Sequence, residues 1–290
     1  MNQTGAELET QVQIVLGRLW SQFESVLLYP VVPAQRIHFL YLLAAVLFAW
    51  LGVTVTDWAT NSSLFALLAR NNYAPLWSSG HGFFVSLVYM AVLLAAIEFT
   101  AFLIHYLQHK VSWLWAFHKV HHSATVIHPL TYYREHPVDN VQYIVGTGLV
   151  TGLIAGVAAF LFGDVINPPR ILGISALAFG FNFLAYNLRH SHVWLRWPGP
   201  LNYVFGSPAH HQVHHSCHPD HIDRNFAFMF PVWDLMFGTY CLPETNEDVR
   251  FGLGNSEEKD FHSCLGLYFV PFKKLWAANR NKSLRPSKLE

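Results

Sequence analysis

The sequence predicts an all-α integral membrane fold, with four membrane-crossing helices carrying a histidine-rich helical cap on the cytoplasmic side. Three observations predict it. The 290-residue chain is 52% hydrophobic but only 12% charged, about half the charge of a usual soluble domain. Four apolar runs are each long enough, at about 1.5 Å per residue, to cross a hydrocarbon core of roughly 30 Å. Finally, the chain has 18 His, as many as Lys and Arg together, and they gather at the ends of those runs.

Residues 1–36 read as an N-terminal interfacial segment, because Leu8, Val12, Val15, Leu16, Leu19, Phe23, Val26 and Leu27 recur at helical spacing between polar residues. Pro30 and Pro33 end that segment, and Met1–Glu9 lack the basic start of a cleaved signal peptide. The catalytic domain is expected over 37–242, with spans at about 37–56, 82–104, 141–163 and 171–188. The third span carries Gly148, Gly152 and Gly156 at four-residue intervals, a face for close helix packing. Pro168 and Pro169 mark a tight connection to the fourth span, and residues 243–290 read as a C-terminal cytoplasmic tail.

Four spans place both termini on one side. Only Arg70 and Arg170 fall in the loops of the opposite side, so the excess of basic residues assigns the termini to the cytoplasm. The same topology brings the end of span two, the start of span three and the end of span four to one face. A net charge of zero excludes an electrostatic case for nucleic acid. Cys217, Cys241 and Cys264 have no C-x-x-C spacing and read as reduced thiols.

The histidines at that face come in three clusters: His105 and His109; His118, His121 and His122; and His190, His192, His211, His214 and His215. Within helices, intervals of three and four residues point imidazoles the same way. One such pair signals little, but two copies of H-x-x-H-H with an H-x-x-x-H describe a metal site large enough for two ions. Imidazole suits Zn, Cu, Fe and Ni, so ligand type alone leaves the metal open. No H-E-x-x-H is present. Two irons could activate O2 toward an unactivated C–H bond. A membrane metal carrier or a zinc-dependent lipid hydrolase uses the same residues.

The patterns His105-Tyr-Leu-Gln-His109, His118-Lys-Val-His121-His122-Ser, Arg134-Glu-His136-Pro and His211-Gln-Val-His214-His215 are followed by Asn225-Phe and Trp233-Asp-Leu-Met-Phe-Gly-Thr. In this order they resemble the fatty acid hydroxylase/sterol desaturase superfamily, from about Glu98 to Leu242. The resemblance implies a membrane oxygenase with two Fe ions and O2 as co-substrate, hydroxylating or desaturating a lipid. It also implies electrons from an external donor, a reductase with a ferredoxin or a b-type cytochrome, in a bacterial inner membrane or the endoplasmic reticulum. The implied ligands are His105, His109, His118, His121, His122, His211, His214 and His215 from the boxes, with His136 and His190 between them. Because this chain has His192 beside His190 and His210 before the last box, those two are expected to support the ligands. Ligating imidazoles need acceptors for their second ring N–H, and Asp139, Asn187, Asp223 and Asn225 are the candidates. Glu98 lies two helical turns before His105, and an acid at membrane depth marks a supporting role.

Overall fold

The computed structural model describes residues 50–62, 71, 77, 82–162, 170–171, 174–175, 189–244 and 249–283. The expected interfacial segment over 1–36, most of the first span, the connection over 164–169 and most of the fourth span with Asn187 lie outside these residues.

Helix α1 is seen over 50–62, six residues past the end expected at Thr56. Polarity does not stop it because the polar side chains bond within the helix: Thr60 Oγ1 donates to Thr56 O and Asn61 Nδ2 to Asp57 O, each at 2.8 Å. Helix α2, Phe83–Lys110, and helix α4, Pro137–Phe162, are the two described helices long and apolar enough to cross a membrane. Little of their surface is buried in the protein, and Phe83, Phe84, Val92 and Leu153 are among the large apolar side chains left bare. The glycine row of α4 supports close packing as expected. A Cβ on Gly152 would lie 2.5 Å from Ala59 Cβ and 2.6 Å from Thr56 O, so only glycine lets α1 approach here.

Helix α2 runs straight on through His105 and His109. A single extended residue, Val111, then turns the chain into α3, Ser112–His122. This joint folds the second histidine cluster back toward the first. Arg134 locks the far end of α3, donating to Val120 O, Ser123 Oγ and Phe261 O at 3.3, 2.9 and 3.1 Å.

A short antiparallel ribbon pairs β1, Arg170–Ile171, with β2, Ile174–Ser175, Ile171 opposite Ile174. The fourth span therefore does not begin as helix at Ile171. After His190 the chain winds through short helices, α5 Leu201–Val204, α6 Pro208–His214 and α7 Val232–Phe237, and ends in α8, Cys264–Ser283. The expected tail is thus partly folded onto the cap. Leu267 of α8 joins a buried cluster with Val120 and Phe261. Lys274 bridges Glu257 and Asp260 at 3.0 Å, and Lys119 of α3 reaches Glu257 at 2.8 Å.

Candidate metal centre

Nine imidazoles converge where α2, α3, α6 and the His190 turn meet, and they fall into two groups. His105, His109, His118, His122 and His214 form group one; His121, His190, His211 and His215 form group two. Within each group the potential ligand atoms all lie within 4.8 Å of one another. The ring of His122 in group one stacks on His215 of group two at 4.5 Å, so the groups abut.

Helical geometry explains the division. At about 100° per residue, positions i and i+4 are roughly 40° apart, whereas i+3 lies on the other side of i. His118 and His122 accordingly enter group one while His121 enters group two. On α6 the assignment reverses: His211 and His215 enter group two and His214 enters group one. Each H-x-x-H-H box therefore serves both groups.

The ring nitrogens are arranged for a cation. In group one, Nδ1 of His105 donates to Phe226 O at 2.8 Å, that of His214 to Arg224 O at 2.8 Å, that of His109 to Asp223 Oδ1 at 3.2 Å and that of His118 to Asp139 Oδ2 at 3.3 Å. With Nδ1 protonated, the Nε2 lone pairs face inward. Nε2 of His118 and of His214 are buried without a hydrogen-bond partner, and Nε2 of His109 lies 3.1 Å from Nε2 of His122. In group two, Nε2 of His190 lies 3.2 Å from that of His121 and 2.9 Å from that of His211, which lies 3.0 Å from that of His215. Burial pushes His118 down to about 3 and holds His121, His122, His190, His211, His214 and His215 well below the usual imidazole range. Neutral imidazoles with converging nitrogens are what metal ions require; group one, with its lone pairs turned inward, fits an ion, and the clustered nitrogens of group two could hold a second.

A loop of four residues, 223–226, supplies three of the four acceptors in group one. Asp223 and Asn225 adopt left-handed backbone, with φ 61° and 56°, a conformation that Asp and Asn tolerate better than most residues. The loop is pinned from behind. Asn225 exchanges hydrogen bonds with the Cys241 backbone and donates to His210 O. Asp234 accepts from Phe226 N, Ala227 N and Thr239 Oγ1 at 2.8, 2.9 and 2.6 Å. Glu98, expected to support His105, accepts from Met229 N at 2.8 Å, three residues beyond this loop.

The fatty acid hydroxylase family model matches residues 90–239, just over half of the chain and all nine converging histidines. The chain belongs to the fatty acid hydroxylase family. It is 30% identical to alkylglycerol monooxygenase of Danio rerio over 152 residues, 51% of this chain and 29% of that protein. With the Homo sapiens alkylglycerol monooxygenase it shares 28% identity over 160 residues, 54% of this chain and 31% of that one. An ornithine lipid hydroxylase of Rhizobium tropici is 27% identical over 176 residues, covering 61% and 49%. The chain therefore spans less than a third of the alkylglycerol monooxygenases and about half of the ornithine lipid hydroxylase. No solved structure matches it significantly.

Not every histidine expected from the resemblance to fatty acid hydroxylases joins a group. His136 stands apart, its Nδ1 accepting from Val138 N at 3.2 Å and its Nε2 facing Tyr268 O at 3.2 Å. Both nitrogens are used, and the residue secures the start of α4 against α8. His190 enters group two and His192 neither. His210 caps α6: its Nδ1 accepts from Ser207 N at 3.2 Å while its own N–H reaches Ser207 Oγ at 3.3 Å. It thereby sets where α6, and with it the last box, begins.

Two openings reach the fatty acid hydroxylase centre. A small cavity, with about 10 Å³ of free space, is lined by His105, His118, His121, His190, His211, Tyr132, Glu135, Tyr143, Arg189 and Phe228. It holds about one water molecule. Burial, then the charge of Asp139, pushes the Glu135 carboxyl up to about 8, against the lowering effect of Arg189. A larger cleft of about 330 Å³ meets His109, His122 and His214 beside Trp115 and Lys119. Glu135, Asp234 and Arg189 were not picked out from sequence, although Glu135 and Asp234 sit inside quoted motifs.

Proposed function

We propose that the chain is a membrane-embedded non-haem di-iron oxygenase that hydroxylates a C–H bond of a lipid. The observation that carries this reading is the pair of abutting all-imidazole groups at the ends of two apolar helices, in a chain of the fatty acid hydroxylase family. His105, His109, His118, His122 and His214 would hold one iron, and His121, His190, His211 and His215 the other. Bound there, the irons would supply the O2 and electron chemistry that side chains lack. In the overall balance, C–H, O2, two electrons and two protons give C–OH and water, the electrons arriving from a separate donor protein.

The chain's own residues position and seal this chemistry. Asp223, Asp139 and the carbonyls of Arg224 and Phe226 orient the imidazoles. Phe228, Tyr132 and Tyr143 wall a cavity too small for bulk water, and Tyr143 is held by Gln108 Oε1 at 2.9 Å. The Glu135 carboxyl, pushed up by burial, lines the same cavity. The bare apolar faces of α2 and α4 suit membrane-crossing helices, and the basic residues of the cap support a cytoplasmic cap with both termini on that side. A lipid in the same bilayer is then the substrate within reach.

The test is expression in lipid-bearing cells with an electron-donor system under ¹⁸O2, followed by mass spectrometry of the lipids. Incorporation of label into a lipid hydroxyl, lost on His118→Ala or His214→Ala, is the expected outcome. Unlabelled, unchanged lipids from iron-loaded protein with a competent donor would refute the reading.

A further inference from the structure

Four large apolar side chains on one face of α8 are more than half exposed, Phe272 also edging onto Phe117 and His136. Leu265, Phe269, Phe272 and Trp276 are 69%, 63%, 51% and 65% exposed, although such residues are usually hidden. Their spacing of four, three and four residues gathers them within about 60° of helical arc. The opposite face is already docked: Leu267 and Pro271 are buried and Lys274 is bound to Glu257 and Asp260. Lys273 and Arg280, both exposed, border the bare stripe on one side, the Arg280 guanidinium lying 5.5 Å from the Trp276 ring.

The height of α8 is fixed by its contacts. The Phe272 ring lies 5.1 Å from Phe117 and 5.5 Å from His136. His136 immediately precedes α4, so α8 sits at the level where an apolar, membrane-length helix begins. A bare Leu/Phe/Trp stripe with a basic border at that level has the chemistry of a helix lying in the plane of a lipid surface.

We propose that α8 is an in-plane membrane anchor, with Leu265, Phe269, Phe272 and Trp276 among the acyl chains and Lys273 and Arg280 at the headgroup phosphates. The proposal rests on α4 crossing the membrane, and its test separates the two. In the 290-residue chain with Cys217, Cys241 and Cys264 replaced by serine, single cysteines Phe269→Cys, Trp276→Cys, Ala278→Cys (exposed on the opposite face of α8) and Val92→Cys are spin-labelled and reconstituted into vesicles of phosphatidylcholine and phosphatidylglycerol. Collision with membrane-soluble O2 and with an aqueous nickel chelate is then compared. At 269 and 276 the O2-to-nickel ratio should exceed that at 278 several-fold and approach that at 92. A lipid-like ratio at 92 with water-like ratios at 269 and 276 overturns the anchor while leaving the membrane reading intact. Water-like ratios at all positions overturn both. Dipolar broadening between labels at 269 on different copies, with no lipid contact, shows a second copy on the stripe and also overturns the anchor.

Discussion

The two histidine groups are built from the same helices yet held in different ways. Group one is oriented from outside: four of its five rings present Nδ1 to an oxygen, two carbonyls and two carboxylates. In group two, Nδ1 of His211 instead receives a hydrogen bond from Arg189 at 2.9 Å, and Nδ1 of His121 is buried without a partner. Acceptors behind an imidazole fix its tautomer and strengthen it as a ligand; a guanidinium in that place withdraws electron density. Group one thus has acceptors behind its rings and is the better prepared to take an ion, whereas in group two His211 meets a donor there and His121 meets no partner.

The largest expected effects come from removing ligands. His118→Ala and His121→Ala should each abolish turnover, but their residual metal should differ. The His121→Ala protein, with group one intact, should keep one equivalent through chelator dialysis, measured by elemental analysis. The His118→Ala protein should lose its remaining metal readily. Equal retention in both would erase the proposed difference.

Next are the outer acceptors. Asp139→Asn and Asp223→Asn should weaken group-one metal affinity by about 10- to 100-fold, the usual cost of losing such a partner. Competition with a fluorescent chelator reads this directly, and an effect confined to group two would contradict the assignment. Asp223 is the more exposed, held down to about 2 by its bonds to His109 and then Lys110.

Acid should act on both groups. The folded His118 titrates near 3, against about 6.5 in an unfolded chain. Between these values the unfolded state binds protons that the folded state refuses, so stability of the metal-free protein falls as pH drops from about 6.5 towards 3. Above that window these histidines contribute no pH dependence. Thermal melting of metal-free protein across this range checks the sign.

The smallest effect belongs to a histidine outside both groups. His210→Ala removes a helix cap and should cost roughly 1 kcal/mol, seen as a modest lowering of the melting temperature. Metal content should remain at its original stoichiometry, since neither nitrogen of His210 faces an ion.

Much of this arrangement was legible because helical spacing converts directly into direction. The ring sets of His118, His121 and His122 and of His211, His214 and His215 could be placed on shared faces from their intervals. Asp139 and Asp223 could be read as acceptors because they are anionic and lie near the boxes. The carbonyls of Arg224 and Phe226 could not, since every residue has one and only the left-handed turns at Asp223 and Asn225 aim them. His136 resembled a ligand because its motif is sequence-specific, but the same motif is satisfied by a backbone cap at the start of α4. Likewise, the polar residues from Asp57 onward suggested a loop, yet local side-chain hydrogen bonds let α1 continue.

The division of each H-x-x-H-H box carries one more consequence. Helix α3 is a rigid axle bearing levers for both sites, and α6 is its counterpart with the load reversed. Rotating either axle to tighten one grip slackens the other, so the two sites cannot be tuned independently. An ion in group one, which is held from outside, would set the rotation of both helices, so group two would fill on a frame that the first ion has already fixed.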